Sequence, residues 1–294
     1  MASVLTMNES MQPEITVVVA ERFGVGESPV WDGERQRLLW CDIPAGVIHA
    51  LDIANGARQR WSFGEPVPSF GLAQGGRLVV ALRNDVVLFD PQSGAREVVA
   101  RLEHAKPEMR LNDGKVGPDG AFWVGSMDAG GDAAKLYRVG PDGSVQVIAE
   151  GITISNGLAW NAAGTRLYHS DSRGGMWLDC WDFDAATGAV SNRRRLRDRN
   201  EANGRPDGGA CDVKGTYWSA GPSAQRINRF SADGVLLGHV DVPLQHPTMP
   251  CFGGEDMRTV FVTSLDSKTD DGGLDGIISF RADVPGVPVG KFQR

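Results

Sequence analysis

Strand-sized apolar runs separated by turn signals recur along the whole chain. Leu38-Leu39-Trp40-Cys41 is followed by a run at 47–52, the run at 78–82 by one at 86–90, and Ala121-Phe122-Trp123-Val124-Gly125 by one at 136–139. The same phrase returns at 166–170, 215–219 and 259–263. With Leu39 as origin, equivalent positions fall near 79, 122, 167, 217 and 260, in steps of 40, 43, 45, 50 and 43 residues. The turn pairs Asn55-Gly56, Ser93-Gly94, Asp142-Gly143, Thr187-Gly188 and Asp233-Gly234 keep the same step, each placed to close a hairpin. Asp119-Gly120 and Ala163-Gly164 sit between the first and second strands of their units. A repeat of this length, built from strands and tight turns, predicts the blades of an all-β, six-bladed β-propeller. An early strand around 14–20 lies outside the count and is expected to pair with the last blade.

Composition agrees with that picture. Glycine fills 38 of 294 positions, close to twice the roughly 7% of average proteins, which suits turns and not a long helical bundle. No linker interrupts the repeat, so residues 14–294 are expected to form one domain behind a flexible stretch at 1–13. A net charge of −7 argues against nucleic acid or an anionic membrane as partner. Four cysteines without a CxxC pair, no signal-like segment and no apolar window near the length of a membrane helix predict free thiols in a cytoplasmic protein; a monomer or weak homo-oligomer is the default expectation, on which no residue pattern bears. The basic run at 193–199 is expected on a solvated strand edge of blade four. Trp31, Trp123, Trp160 and Trp218 are expected to pack between blades.

Polar residues collect where each blade's first strand begins, at one mouth of the channel. Those stretches are Gly26-Glu27-Ser28-Pro29, Arg110-Leu111-Asn112-Asp113-Gly114-Lys115, Ile154-Ser155-Asn156-Gly157 and Arg205-Pro206-Asp207-Gly208. Any one Asx-Gly pair is ordinary turn chemistry. Together, Glu27, Asn156 and Asp207 offer two carboxylates and an amide oxygen at equivalent places in three blades. That hard-oxygen set suits a divalent cation whose shell is completed by water. Asp113 is expected in a turn or supporting role, His49 on a strand surface, and His169 or His246 at the mouth. No Gly-x-Ser-x-Gly elbow is present to supply a serine nucleophile.

With Cys41-Asp42-Ile43-Pro44, Ser191-Asn192-Arg193-Arg194 and Cys251-Phe252-Gly253-Gly254 added, these segments resemble the SMP-30/gluconolactonase/LRE-like family, in its order and over nearly the whole chain. The resemblance implies a six-bladed propeller that hydrolyses a sugar-acid lactone with one divalent ion, calcium first among Ca²⁺, Mg²⁺, Mn²⁺ and Zn²⁺. It implies Glu27, Asn156 and Asp207 as metal ligands, Asp207 also as general base, and Arg110 and Asn112 as substrate contacts. The ion would polarise the lactone carbonyl for attack by an activated water. Some relatives carry an acidic pair after the segment matching Gly125-Ser126-Met127. This chain continues Asp128-Ala129-Gly130-Gly131, which leaves Asp128 as the candidate for that contact. A propeller esterase or organophosphate hydrolase and a non-catalytic calcium-binding propeller stay open as alternatives.

Overall fold

The structure, a computed structural model, describes residues 12–173, 177–198, 201–266, 268 and 273–294. Its strands form six antiparallel sheets of four, the blades of the expected propeller. The innermost strands, in blade order, are Gly26–Asp32, Ser69–Leu72, Arg110–Val116, Ser155–Trp160, Gly209–Cys211 and Pro247–Gly253. The repeat landmarks at 39, 79, 122, 167, 217 and 260 all fall on second strands. The five glycines of the repeating turn pairs close third to fourth strands with φ between 72° and 84°, a left-handed geometry that explains why each is glycine. The expected flexible stretch at 1–13 lies almost wholly outside the described residues.

Blade six takes its outer strand from the other end of the chain. Thr16–Val19 pairs with Ile277–Arg281, Thr16 lying opposite Ser279, as the early strand was expected to do. The C-terminal segment then crosses one end of the channel. Val287 N–H donates to Cys211 O at 2.9 Å, Phe292 N–H to Leu72 O at 2.8 Å and Gln293 N–H to Gly120 O at 3.1 Å, spanning blades five, two and three. Phe292 is fully buried beneath this strap.

The core is divided into layers between neighbouring blades. Trp123 meets Trp160 edge to face at 5.7 Å between blades three and four, and Trp31 stacks on Phe261 at 5.7 Å between blades one and six. Trp218 packs on Phe252 at 5.4 Å between blades five and six. Each ring is buried, contributing on the order of 2–3 kcal/mol by removal from water. The basic run lies on the outer strand of blade four, Ala189–Arg197, where Arg193 and Arg195 both bond the buried Asp179. The four cysteines are buried and free. Among the described residues no helix is long and apolar enough to cross a membrane.

Candidate active site

Each innermost strand runs from one end of the channel to the other. The starts of all six of these strands, or the residues just before them, line a cavity of about 230 Å³ at the end away from the C-terminal strap. The backbone re-aims side chains there. Pairing slips by a bulge between Glu27 and Val30, between Leu111 and Gly114, and between Asn156 and Ala159. Such a bulge twists the strand and turns a side chain out of the normal alternation. The residues following Glu27 and Asn156 are left-handed, Ser28 at φ 48° and Gly157 at φ 72°. A Cβ at Gly157 would also come within 2.5 Å of Ser170 Oγ and Tyr217 OH, so glycine is required there on two counts. Ser28 carries the strain of that conformation, and its N–H donates to Glu27 Oε2 at 2.7 Å.

A chain of hydrogen bonds fixes the polar side chains across three blades. Arg110 Nη1 donates to Asn112 Oδ1 at 2.9 Å, and Asn112 Nδ2 donates to Ser155 O at 3.0 Å and, more distantly, to Asn156 Oδ1 at 3.4 Å. Asn156 Nδ2 donates to Ser172 Oγ at 2.6 Å, which in turn donates to Pro206 O at 2.6 Å, beside Asp207. With its nitrogen committed to Ser172, Asn156 keeps its carbonyl oxygen as an acceptor, on a residue that lines the cavity. Asp207 is held two residues ahead of its strand by its N–H on Ala220 O at 3.1 Å.

The charges at the floor do not balance. Glu27, Asp113 and Asp207 are all less than 10% exposed, and among the described residues none forms an ion pair within 4 Å. Burial, then the charges of Asp207 and Asp113, push the Glu27 carboxyl well above its usual range. Burial pushes Asp207 up to about 7, with Asp113 adding to it and Arg205 opposing. Asp113 is raised by its own burial, and the buried ammonium of Lys115, which donates to Gly209 O at 2.5 Å, is lowered by burial. Buried like charges without a counter-ion are costly, and a divalent cation at contact reverses that cost. Two carboxylates and an amide oxygen are hard donors of the kind calcium and magnesium take. Among the described residues no three His, Cys, Asp or Glu side chains cluster as a metal site.

Glu27, Arg110, Asn112, Asn156 and Asp207 thus lie on one cavity, and Asp128 does not. Its carboxylate is buried, bonded to Lys106 Nζ at 2.6 Å and to Ala133 N–H at 3.1 Å, and it closes the 128–133 turn in place of the expected substrate contact. Its chain neighbours Met127 and Ala129 line the cavity instead. His169 is not at the mouth: it is fully buried within blade four, against Trp177 and Trp181, with Nε2 at 2.7 Å from Ser155 Oγ. His49 is half-buried on its strand, stacked at 5.2 Å on Trp40. Asp113 forms part of the floor, where its Oδ2 accepts Leu158 N–H at 3.2 Å, so its place is more central than the sequence indicates. Arg173 and Arg205, absent from the sequence reading as site residues, also line the cavity.

Sequence comparison places a family on this architecture. The family model for the SMP-30/Gluconolactonase/LRE-like region matches residues 25–266, and the chain belongs to that family. It is 36% identical over 289 residues to the 6-deoxy-6-sulfogluconolactonase of Pseudomonas putida, covering 95% of this chain and 97% of that one. It is 33% identical to regucalcin of Xenopus laevis, over 88% of this chain and 89% of the relative. Among solved structures, a regucalcin from Agrobacterium tumefaciens, described as a calcium-binding protein, superposes with a TM-score of 0.90 at 25% identity, over 97% of this chain and 99% of that one.

Proposed function

We propose that this chain hydrolyses the lactone of a sugar acid to the open-chain acid, with a divalent cation held by Glu27, Asn156 and Asp207. The observation that supports it most directly is the convergence of two buried carboxylates, both raised by burial and without an ion-pair partner among the described residues, on an amide oxygen oriented by Ser172. The family supplies the substrate class, since the Pseudomonas relative is named for a sugar lactone.

A cation bound there supplies Lewis acidity toward the lactone carbonyl oxygen and offsets the charge of the floor. Arg110 and Asn112 orient the ring through its hydroxyls, their own geometry set by the bond between them. Asp207 takes a proton from the water that attacks the carbonyl carbon. As the ring carbon–oxygen bond breaks, the leaving oxygen receives that proton back, so one group serves as base and then as acid. The protein groups alone push Asp207 upward, and a cation at contact would favour its ionised form.

The test is acid release from a panel of aldonolactones by chelator-stripped protein, with Ca²⁺, Mg²⁺, Mn²⁺ and Zn²⁺ returned singly. Hydrolysis restored by one or more ions is the expected result. Equal turnover with and without metal would remove the cation from the mechanism, and no turnover of any lactone would remove the substrate class. Calcium is the first ion to try, since the Agrobacterium structure is described as calcium-binding.

A further inference from the structure

The cavity changes sign from floor to rim. Its floor holds the buried Glu27, Asp113 and Asp207, whereas its rim carries the half-buried Arg205 and the exposed Arg173. These arginines come from neighbouring blades: Arg173 follows the second strand of blade four, Arg166–Asp171, and Arg205 leads into the first strand of blade five. Both backbones are anchored, with Arg173 N–H on Asp171 Oδ1 at 3.0 Å and Arg205 N–H on Ser223 Oγ at 2.9 Å. Arg173 Nη1 donates to Ala129 O at 3.2 Å, which holds that guanidinium at the cavity edge.

Arg101, Arg138 and Arg281 are matched to Asp85, Asp119 and Asp256, while Arg77 and Arg96 spend their guanidinium groups on carbonyl oxygens. Among the described residues neither Arg173 nor Arg205 has a carboxylate partner within 4 Å. On a protein of net charge −7, cations left unmatched around a cavity mark an anion site. Arg110, on the same cavity, is already committed to Leu111 O and Asn112.

Resting on the lactonase reading above, we infer that the substrate carries an anionic group at the end remote from its lactone carbonyl, and that Arg173 and Arg205 bind it. The reacting carbonyl lies against the floor, and the far end of the sugar chain reaches the rim. Carboxylate, sulfonate and phosphate all offer the oxygen geometry that a guanidinium pairs with two at a time. Arg205 also bears on Asp207, so its removal changes every substrate's rate. The informative quantity is therefore a ratio.

The test compares kcat/KM for a neutral aldonolactone and for its counterparts ending in carboxylate, sulfonate and phosphate, in the wild type and in Arg173→Gln, Arg205→Gln and the double variant. The anionic-to-neutral ratio is expected to exceed one in the wild type and to fall about 10-fold or more in the double variant, the span of a lost charge-assisted hydrogen bond. Arg205→Lys should recover part of it, and the three anionic arms identify which group is preferred. A ratio that is the same in wild type and double variant overturns the inference, leaving the arginines only to counter the floor charge. Calorimetric binding of the open-chain acids, with and without the terminal anionic group, gives the same comparison without turnover. If no lactone is hydrolysed, this binding ratio still decides the anion subsite, while the lactonase reading fails separately.

Discussion

Asn156 Nδ2 donates to Ser172 Oγ at 2.6 Å, and this bond, with the longer one from Asn112 Nδ2 to Asn156 Oδ1, sets the orientation of the amide. Ser172 Oγ–H donates in turn to Pro206 O, so the orientation of a blade-four amide is tied to the loop carrying Asp207. Ser172→Ala is expected to release the amide and lower divalent-cation affinity about 10–100-fold, the usual cost of losing a supporting bond to a ligand. Titration calorimetry on chelator-stripped protein reads this, and an unchanged affinity would show that the amide is oriented by other means.

Asp207→Asn separates activity from stability. Lactone turnover is expected to fall by about 10²–10⁴, the contribution of a positioned base, measured as kcat at saturating metal. The metal-free variant should nevertheless be more stable than metal-free wild type above neutral pH. The carboxyl, raised to about 7, keeps its proton in the fold while the unfolded chain loses it, so its stabilising contribution is full below pH ~4 and lost as pH rises through 7. Removing the charge recovers up to roughly 4 kcal/mol, read from denaturation at pH 8 in chelator. A variant less stable than wild type under those conditions would contradict the buried, uncompensated charge.

His169 has the opposite sign. Burial, with Arg193 adding to it, holds the imidazole down to about 3, so it stays neutral in the fold while the unfolded chain protonates near 6.5. Its contribution is present above pH 6.5 and lost on acidification, amounting to about 2 kcal/mol between pH 6.5 and 5. His169→Gln should flatten that part of the stability profile. Denaturation of wild type and variant at pH 8 and pH 5 gives the comparison, and parallel losses in both would assign the acid sensitivity elsewhere.

Gly125 shows how tightly the blade supports the site. A Cβ there would lie 1.8 Å from Ser155 Oγ and 2.1 Å from Ser155 Cβ. Gly125→Ala must displace Ser155, which precedes Asn156 and bonds His169. A stability loss of about 1–3 kcal/mol is expected from such overpacking, together with weakened cation binding. Thermal unfolding and metal titration on one sample would show both, and a neutral substitution would mean that the strand shifts freely.

The ring was legible because its signals are periodic. Second-strand apolar runs and left-handed turn glycines such as Gly56 and Gly143 are dictated locally, and both fall where the spacing puts them. Glu27, Asn156 and Asp207 could be grouped because they begin equivalent strands. Arg173 could not, since it sits on an irregular loop after a second strand, and Arg205, though inside one of the grouped stretches, carries no signal there that tells a cavity arginine from a surface one. Asp128 misled for a related reason: chain proximity to Met127 says nothing of the Lys106 that captures its carboxylate. His169 alternates inward on a strand that the sequence shows to be apolar, but its burial follows from Trp177 and Trp181, residues of a later run.

The pairing of Thr16 with Ser279 joins positions 263 residues apart. Until that contact forms, blade six lacks a strand and the circle lacks a seam. The cavity draws on the inner-strand starts of all six blades, from Glu27 and Pro68 round to Thr248, so its full wall is complete only when the circle shuts. Neighbouring blades pair through local contacts, whereas joining the two ends of the chain closes a long loop, which is entropically costly. The seam therefore bears on the candidate site as well as on the fold: blades three to five can align their side chains without it, but the wall supplied by blades one and six is not fixed until it forms.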